Sequence, residues 1–377
     1  MKIFLIPDKF KGSLSASEVI TALAKGIKRA APNALVYATI ASDGGDGFLD
    51  AVKSSGSLQE ILSPSCDPLG EPLTTPYLLD SEKKTAYVEL AQSSGMVLLE
   101  ESQRNPMRTS TLGTGMQIRH AIAQGAKTIY VGLGGSATND GGTGIAHALG
   151  YRFLDPDGKV LEPTGGNLIR IASIRTEDVL PALGSVAVYA VNDVNNPLAG
   201  PDGAAWVYGR QKGASDQDIT TLDRGLTSLA EVAQKQLGVN YTAIPGSGAA
   251  GGAAFGLKTF LGASFIKGID FMLRLSNLEA IFTKGAVDLI ITGEGAIDAQ
   301  TLNGKVIHGV LQLGKKYQTP VVAICGQLSL EKSSCREQGL AEVIEIRDPN
   351  KPIAYSMENA ASLIEEAIFQ FMRTFSS

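Results

Sequence analysis

The chain has 377 residues, which is long for one hydrophobic core and favours two domains. Apolar residues make up 44% and charged residues 19%, as in a globular protein with a substantial core. A net charge of −5 provides no basic surface for nucleic acid or an anionic membrane, and we expect neither as a partner. An anionic substrate must therefore be bound by local lysine or arginine side chains.

Cysteine and histidine are too scarce for several common sites. The three cysteines lack the paired spacing of metal ligands. With only three histidines in the chain, we expect neither a histidine-based zinc site nor a Ser-His-Asp triad. The N-terminus begins directly as a strand, without the charged and apolar segments of a signal peptide, and no apolar stretch reaches membrane length. We therefore expect a cytoplasmic protein.

The chain opens with the alternation of strands and helices that is typical of a parallel sheet. An apolar strand at residues 2–6 precedes a helix whose start has capping-box spacing at Ser15 and Glu18. A second strand, 36–40, runs into the loop SDGGDG, which starts at Ser42. Four prolines between Pro64 and Pro76 then indicate an extended connection, so we place a domain boundary near residue 64.

The most distinctive stretch of the middle part runs from residue 128 to residue 150. A β-branched and aromatic run at 128–131 predicts a buried strand, and a glycine-rich loop and a helix follow it. This order presents backbone N–H groups and a helix N-terminus to an anion. The candidate nucleotide- or phosphate-binding residues are Gly134, Gly135, Ser136, Thr138, Asn139 and Asp140. The alternative is a tight turn in which the glycines only solve a packing problem.

The next predicted strand, 186–191, runs straight into Asn192 and Asp193, and Lys212 lies further along. A helical region follows at about 222–237. The glycine cluster at 246–252 permits either close helix packing or close approach to a ligand, and we favour packing.

The C-terminal part returns to the opening alternation. Strands predicted at 287–292, 320–325 and 343–346 would join the two N-terminal strands in a five-stranded parallel sheet. A sheet of this size with helices on both faces is flavodoxin-like. We therefore predict an α/β protein in which residues 1–64 and 264–377 form a discontinuous flavodoxin-like domain. A second α/β domain, 65–263, is inserted into it, and the active cleft is expected between the two.

Acidic residues follow several of the predicted strands. Ligands of open α/β sheets bind beyond the carboxyl ends of the strands, although a single acid there is commonly a helix cap. Carboxylates in glycine loops suit a magnesium-bound nucleotide, because Mg²⁺ takes few protein carboxylates plus phosphate oxygens. The candidate metal ligands are Asp43, Asp46, Glu294 and Asp298. Phosphoryl transfer also needs a carboxylate that orients or deprotonates the attacking hydroxyl, and we assign that role to Asp193.

Basic residues in polar loops are the candidates for binding anions. We place Lys212 in the catalytic site and Lys305 at a phosphate, and the candidate substrate-binding residues are Lys9, Lys11, Ser13 and Arg104. The motif GxxxxGK[ST] is absent, because Val306 follows Gly304-Lys305. The pattern GxGxxA from Gly132 to Ala137 keeps an NAD-dependent dehydrogenase as an alternative.

Seven motifs, in this order and spacing, make the chain resemble the bacterial type I glycerate kinases over almost its whole length. They are DKFKGSLSA from residue 8, SDGGDG from 42, RNPMRTSTLGTG from 104, GGSATNDGGTG from 134, NDVNNPLAGPDGAAWVYGRQKGA from 192, GAAGG from 248 and TGEGAIDAQTLNGK from 292. The resemblance implies ATP-dependent phosphorylation of D-glycerate, usually to 2-phosphoglycerate, with ATP and Mg²⁺ as cofactors. It also implies a flavodoxin-like domain with a second α/β domain.

The resemblance leaves several alternatives open. The substrate could be a related small hydroxy acid, the product could be 3-phosphoglycerate, and the protein could be a non-catalytic sensor of a sugar acid. The oligomeric state is open between a monomer and a homodimer. The chain also departs from the family pattern at four positions. Lys9 stands where serine is usual, Asp46 where glutamate is usual, Ala296 where arginine is usual and Arg210 where proline is usual. Lys9 is a candidate for replacing the charge missing at Ala296.

Overall fold

The computed structural model describes residues 1–40, 45, 47–53, 58–275, 281–282, 287–298 and 306–375. The chain divides into two compact units. The first unit consists of Met1–Ser42 and Gly268–Ser377, and the second unit is Asp43–Lys267.

The described strands are β1 (Lys2–Leu5), β2 (Leu35–Ala38), β3 (Gln59–Cys66), β4 (Pro72–Asp80), β5 (Thr85–Glu89), β6 (Thr128–Gly132), β7 (Arg152–Leu154), β8 (Ser173–Arg175), β9 (Ala187–Val191), β10 (Ser264–Ile266), β11 (Leu289–Ile297), β12 (Val321–Leu328) and β13 (Glu342–Glu345). The described α-helices are α1 (Ala16–Ala30), α2 (Phe48–Lys53), α3 (Ala91–Ser94), α4 (Leu112–Ala123), α5 (Thr143–Ala148), α6 (Ala204–Tyr208), α7 (Asp216–Leu237), α8 (Ala249–Leu261), α9 (Gly268–Leu275), α10 (Val306–Tyr317), α11 (Lys332–Glu337), α12 (Ile353–Glu358) and α13 (Ala360–Phe375). Short 3-10 turns lie at Met96–Leu98, Glu101–Gln103, Gly165–Arg170, Pro181–Ser185 and Arg210–Lys212.

The first unit contains a parallel sheet in the order β2-β1-β11-β12-β13, counted over the described residues. Numbered along the chain, this order is 2-1-3-4-5, which is the flavodoxin-like arrangement. Neighbouring residues of one strand point to opposite faces. Accordingly, Ile3 and Leu5 pack with helices α1 and α13, whereas Phe4 packs with helix α10. Helices therefore cover both faces, as the sequence predicts for a flavodoxin-like sheet.

Helix α1 begins where the sequence predicts it. Ser15 and Glu18 form the capping box, in which the Glu18 amide donates to Ser15 Oγ and the Ser15 amide donates to the Glu18 carboxylate. Strand β11, however, is longer than predicted and continues to Ile297. The residues from Gly293 to Ile297 are therefore not the predicted loop, because their pairing with β12 extends to Ile297 and Leu328.

The second unit contains a six-stranded sheet, counted over the described residues, in the order β10-β9-β6-β5-β4-β3. Strands β5, β6, β9 and β10 are parallel, whereas β3, β4 and β5 are antiparallel neighbours. One face packs against helices α4, α5, α7 and α8 in a single large core. A separate two-stranded ribbon pairs β7 with β8.

The predicted domain boundary near residue 64 differs from the division seen in the structure. Residue 64 lies inside β3, which pairs with β4 as a hairpin of the second unit. The prolines there indicate an extended connection by their spacing, but Pro64 lies on the edge strand β3, where the sheet tolerates proline. Pro76 of β4 lies beyond the residues of that strand that pair with β5. Helix α2, which the sequence places with the N-terminal strands, likewise belongs to the second unit.

Among the described residues, no helix combines the length and the apolar character needed to cross a bilayer.

A candidate active site at the strand ends of the second unit

Three parallel strands of the second unit end at the same level. Glu89 of β5 pairs with Gly132 of β6, which in turn pairs with Val191 of β9. The amide of Leu90 donates to the carbonyl of Gly132, and the amide of Leu133 donates to that of Val191. The segments that follow these strands therefore leave from one edge of the sheet, which is the ligand-binding edge of open α/β sheets. We call residues 133–142 the glycine loop.

Asp140 organises the glycine loop from inside. Its carboxylate is fully buried and accepts hydrogen bonds from the amide and the hydroxyl of Thr111, both at 2.8 Å. It also accepts from the amides of Gly142 and Gly144, both at 3.1 Å. Burial raises the pKa of the Asp140 carboxyl, and these donors oppose that effect. Asp140 is one of the residues that the sequence predicts to bind phosphate. In the structure its carboxylate holds the loop to the starts of helices α4 and α5.

Lys212 is hydrogen-bonded to the same loop. Its Nζ donates to Ser136 Oγ at 2.8 Å and to the Thr138 carbonyl at 2.7 Å, and its side chain is buried. Burial lowers the pKa of Lys212 to about 7, although the charge of Asp140 acts in the opposite direction. The segment that carries Lys212 passes against the Arg104 segment, since a Cβ on Gly213 would lie 2.2 Å from the Arg104 carbonyl oxygen. The structure therefore joins three sequence-predicted elements: the glycine loop, Lys212 and the backbone of Arg104.

Several buried polar atoms in and beside the glycine loop have no hydrogen-bond partner among the described residues. They are Nδ2 and Oδ1 of Asn139, which is fully buried, the hydroxyl of Thr138, and Nδ2 of Asn192, which follows β9. A buried polar group without a hydrogen bond costs on the order of 1–3 kcal/mol. Such groups are typical of functional sites, where they can bind a ligand or ordered water.

The glycine cluster at 246–252, which we call the second glycine cluster, packs against the glycine loop. The amide of Gly141 donates to the carbonyl of Gly251 at 3.1 Å. A Cβ on Gly251 would lie 2.0 Å from the Thr138 carbonyl oxygen, and one on Gly256 would lie 2.4 Å from that of Gly141. Ala250, Gly251 and Gly252 have left-handed backbone conformations, so regular helix geometry begins only after them.

Gly134 of the glycine loop packs against Gly45, which precedes helix α2. A Cβ on Gly134 would lie 1.9 Å from the Cα of Gly45, so only glycine permits this approach. Gly45 belongs to the motif SDGGDG, so two of the sequence motifs meet at this contact. Asp43 and Asp46, the candidate metal ligands of that motif, lie outside the described residues.

Asp193 follows Asn192 directly after β9 and is partly buried. Asn192 is buried beside Gly246, whose Cβ would lie 3.0 Å from Asn192 Oδ1. The end of β9 therefore packs against the start of the second glycine cluster, and the proposed base stands at the same sheet edge as the glycine loop.

A network of hydroxyl groups that no sequence motif predicts contacts the glycine loop at Ala137. The Thr114 hydroxyl shares hydrogen bonds with the hydroxyls of Ser93 and Ser94, at 3.1 and 2.8 Å. The carbonyl of Ser94 accepts from the amide of Ala137, and Thr109 Oγ1 donates to the Ala137 carbonyl. The motif that starts at Arg104 contains several serines and threonines that could have indicated such a network. Short hydroxyl residues alone, however, do not show which groups they contact.

The remaining candidate residues belong to the first unit. Lys9 and Lys11 are exposed, and the hydroxyl of Ser13 donates to the Met357 carbonyl at 2.7 Å. A Cβ on Gly295 would lie 3.2 Å from the Lys11 amide, so the Lys11 segment passes beside strand β11. Glu294 lies within that strand opposite Cys325, and Asp298 follows the strand.

The metal ligands remain a prediction from the sequence. Within the described part of the chain, no group of three His, Cys, Asp or Glu side chains could hold a metal ion. Lys305, like Asp43 and Asp46, lies outside the described residues.

The fold is that of an α/β protein with a flavodoxin-like unit and a second α/β unit, whose glycine loop is hydrogen-bonded to a buried lysine. The chain belongs to the glycerate kinase family, whose family model matches residues 3–376. Members of this family are phosphotransferases, and so is this protein.

Individual relatives agree with this assignment. A glycerate kinase of Bacillus subtilis (strain 168) is 38% identical over 97% of this chain and 95% of its own. A glycerate 2-kinase of Escherichia coli (strain K12) is 39% identical over 92% of this chain and 90% of its own. The crystal structure of a Salmonella typhimurium LT2 protein described as a glycerate kinase 2 matches with a TM-score of 0.85 at 36% identity. That match covers 100% of this chain and 98% of the other.

Proposed function

We propose that the protein transfers the γ-phosphoryl group of MgATP to a hydroxyl of D-glycerate and forms 2-phosphoglycerate. The family assignment and the 39% identity to the Escherichia coli glycerate 2-kinase support the substrate and the product. The observation that carries the proposal is the clamp of Lys212 on the glycine loop, through Ser136 Oγ at 2.8 Å and the Thr138 carbonyl at 2.7 Å. It places a basic side chain within a loop rich in backbone N–H groups, which is the chemistry that phosphates require.

In the proposed reaction, the substrate hydroxyl oxygen attacks the γ-phosphorus in line with the bond to ADP, which breaks. Asp193 orients the hydroxyl and accepts its proton. Because phosphoryl transfer depends mainly on positioning and on stabilising charge, a site with little histidine is sufficient. The glycine loop binds phosphate oxygens through Gly134, Gly135, Ser136, Thr138 and Asn139. Asp140 supports these contacts indirectly, by holding the loop in place, because its carboxylate already accepts four hydrogen bonds from the protein.

The proposed ligands of the glycerate carboxylate and hydroxyls are Lys9, Lys11, Ser13 and Arg104. Mg²⁺ enters as part of the MgATP substrate. Its proposed protein ligands are Asp43, Asp46, Glu294 and Asp298, with Lys305 at a phosphate. We propose that the enzyme works in the cytoplasm, where both substrates are dissolved metabolites. Sedimentation of the purified protein distinguishes a monomer from a homodimer.

The test is an ADP-release assay with MgATP and a panel of small hydroxy acids, followed by NMR identification of the product. We expect D-glycerate to give the highest kcat/KM and 2-phosphoglycerate to be the product. Phosphorylation of another hydroxy acid in preference to glycerate would contradict the proposed substrate, and 3-phosphoglycerate would contradict the proposed position. Reduction of NAD by glycerate without ATP would instead favour the dehydrogenase alternative.

A further inference from the structure

Glu89 is a buried carboxylate that the sequence motifs do not include. It is the last residue of β5 and is only 3% exposed. Its Oε1 accepts the amide of Gly47 at 3.1 Å, and its Oε2 accepts that of Leu49 at 3.0 Å. A buried carboxylate is costly unless hydrogen bonds satisfy it, and bonds to a charged acceptor are stronger than neutral ones. The two oxygens therefore hold the start of helix α2 firmly at the end of β5.

The held segment in turn contacts the glycine loop. The amide of Phe48 donates to the carbonyl of Gly45 at 3.1 Å, which ties Gly45 to the start of helix α2. The Cα of Gly45 lies 1.9 Å from the position that a Cβ on Gly134 would occupy. Glu89 also pairs in register with Gly132, which immediately precedes the glycine loop. One carboxylate therefore connects the sheet edge to both glycine-rich segments.

We propose that Glu89 is a positioning residue for the active site. It holds the Gly45 segment against Gly134, and thereby holds the glycine loop in the arrangement that binds the phosphates of ATP. This inference rests on the proposed function. A carboxylate is needed because it provides an acceptor for each of the two amides, whereas a glutamine provides one acceptor and turns N–H groups toward the other amide.

The test compares Glu89→Gln with Glu60→Gln as a matched control. Glu60 forms an ion pair at 2.5 Å with Lys53, the last residue of helix α2, so the control perturbs the opposite end of the same helix. Kinetics with MgATP and D-glycerate are measured for the wild type and for both variants. Hydrogen exchange is followed by mass spectrometry in peptides that cover residues 47–53 and 132–142. Thermal unfolding shows what fraction of each variant is folded.

We expect Glu89→Gln to lower kcat/KM for MgATP at least tenfold per folded molecule, and Glu60→Gln to stay within twofold of the wild type. Exchange should accelerate in both peptides of Glu89→Gln, including at Ala137, whose amide donates to Ser94. Acceleration confined to residues 47–53, with kinetics within twofold of the wild type, would overturn the proposal and leave Glu89 as a local helix cap.

Failure of the proposed function gives a different result. In that case the wild type and Glu60→Gln would also lack glycerate phosphorylation. The hydrogen exchange of residues 132–142 is then sufficient by itself to test the role of Glu89. Faster exchange in Glu89→Gln supports positioning of the loop, and unchanged exchange overturns it.

Discussion

At the residue scale, two buried ionisable side chains of the second unit have environments that indicate different roles. Asp140 is fully buried and its carboxylate accepts from Thr111, Gly142 and Gly144, so its environment defines a structural role. Lys212 is buried, and among the described residues its Nζ donates to a hydroxyl and a carbonyl rather than to a carboxylate. A lysine held in this way has a strongly lowered pKa, which is a frequent property of functional sites.

The lowered pKa of Lys212 predicts how stability depends on pH. Between about 7 and 10.5, the unfolded chain binds a proton at Lys212 that the folded protein has largely released, so the lysine destabilises the fold less as pH rises. The melting temperature of the wild type should therefore rise relative to that of Lys212→Met across this window and run parallel to it at lower pH. A difference that stays constant from pH 6 to pH 10 would contradict a lowered pKa.

The role of Asp193 predicts a loss of turnover without a loss of fold. A positioned general base contributes about 10²–10⁴-fold to a rate. We expect Asp193→Asn to lower kcat by at least 100-fold in the ADP-release assay, with an unchanged melting temperature. Asp202→Asn is the matched control, because Asp202 is exposed in the same segment and its described contact, with Asn196, uses its backbone carbonyl. Turnover of Asp193→Asn close to that of the control would remove Asp193 from the catalytic role.

At the scale of elements, glycine permits two close approaches that no other residue allows. Helices α1 and α13 cross at Gly26, where a Cβ would lie 2.2 Å from Ile368 Cγ2 and 2.4 Å from the Glu365 carbonyl oxygen. In the first turn of helix α8, a Cβ on Gly251 would lie 2.0 Å from the Thr138 carbonyl oxygen. The first contact packs helix α1 against helix α13 in the flavodoxin-like unit, and the second packs helix α8 against the glycine loop.

Gly26→Ala should destabilise the first unit, although alanine is the better helix former by about 1 kcal/mol. The new methyl group would overlap a backbone carbonyl, and overpacking typically costs about 1–3 kcal/mol. Urea unfolding measures the difference. Gly184→Ala is the control, because a Cβ at Gly184 meets no atom within 4 Å, and its effect should stay within about 0.5 kcal/mol. Stabilisation by Gly26→Ala would show that the helices can separate without cost.

Substitutions at two adjacent residues near the start of helix α8 should have very different effects on stability and on ATP binding. Gly251→Ala adds a Cβ at a φ of 66° and 2.0 Å from the Thr138 carbonyl, so we expect a loss of about 2 kcal/mol or more and impaired ATP binding. Ala250→Gly relieves a left-handed alanine at a φ of 54° while losing a buried methyl group, so we expect a change within about 1 kcal/mol. Equal effects of the two substitutions on urea unfolding and on the KM for ATP would contradict this packing.

At the scale of the whole molecule, the two units differ in how the chain builds them. The second unit is continuous, Asp43–Lys267, and encloses its own large core. The first unit is assembled from Met1–Ser42 and Gly268–Ser377, so its sheet requires residues that are far apart in the chain. Strand β1 pairs with both β2 and β11, which makes the N-terminal strand central to a mostly C-terminal unit.

This organisation predicts that residues 43–267 fold when they are expressed alone. A continuous segment with its own hydrophobic core has the properties of an independent domain. We expect the fragment to show a cooperative urea transition and native-like circular dichroism, and to lack kinase activity because it lacks Lys9 and Lys11. Residues 1–50 provide a control that should stay unfolded, since strands β1 and β2 would lose their partner strand β11. A non-cooperative transition of the fragment would mean that its core depends on the first unit.

The sequence alone determined the parallel sheet of the first unit and the family of the protein. Apolar strands alternating with helices required a parallel sheet, and the capping box of Ser15 and Glu18 formed as its spacing predicts, because these patterns act over a few residues. The order of the motifs was specific enough to name the family. The roles of the candidate residues in the reaction stay predictions.

Only the tertiary structure decided where the units divide and which polar groups meet. The prolines near residue 64 lie in a hairpin, since tolerance for proline depends on which strands are neighbours. Glu89 and Gly47 are 42 residues apart, and Lys212 and Ser136 are 76 apart, yet each pair forms a hydrogen bond. Such contacts follow from the order of strands in the sheet, which a local sequence pattern does not encode.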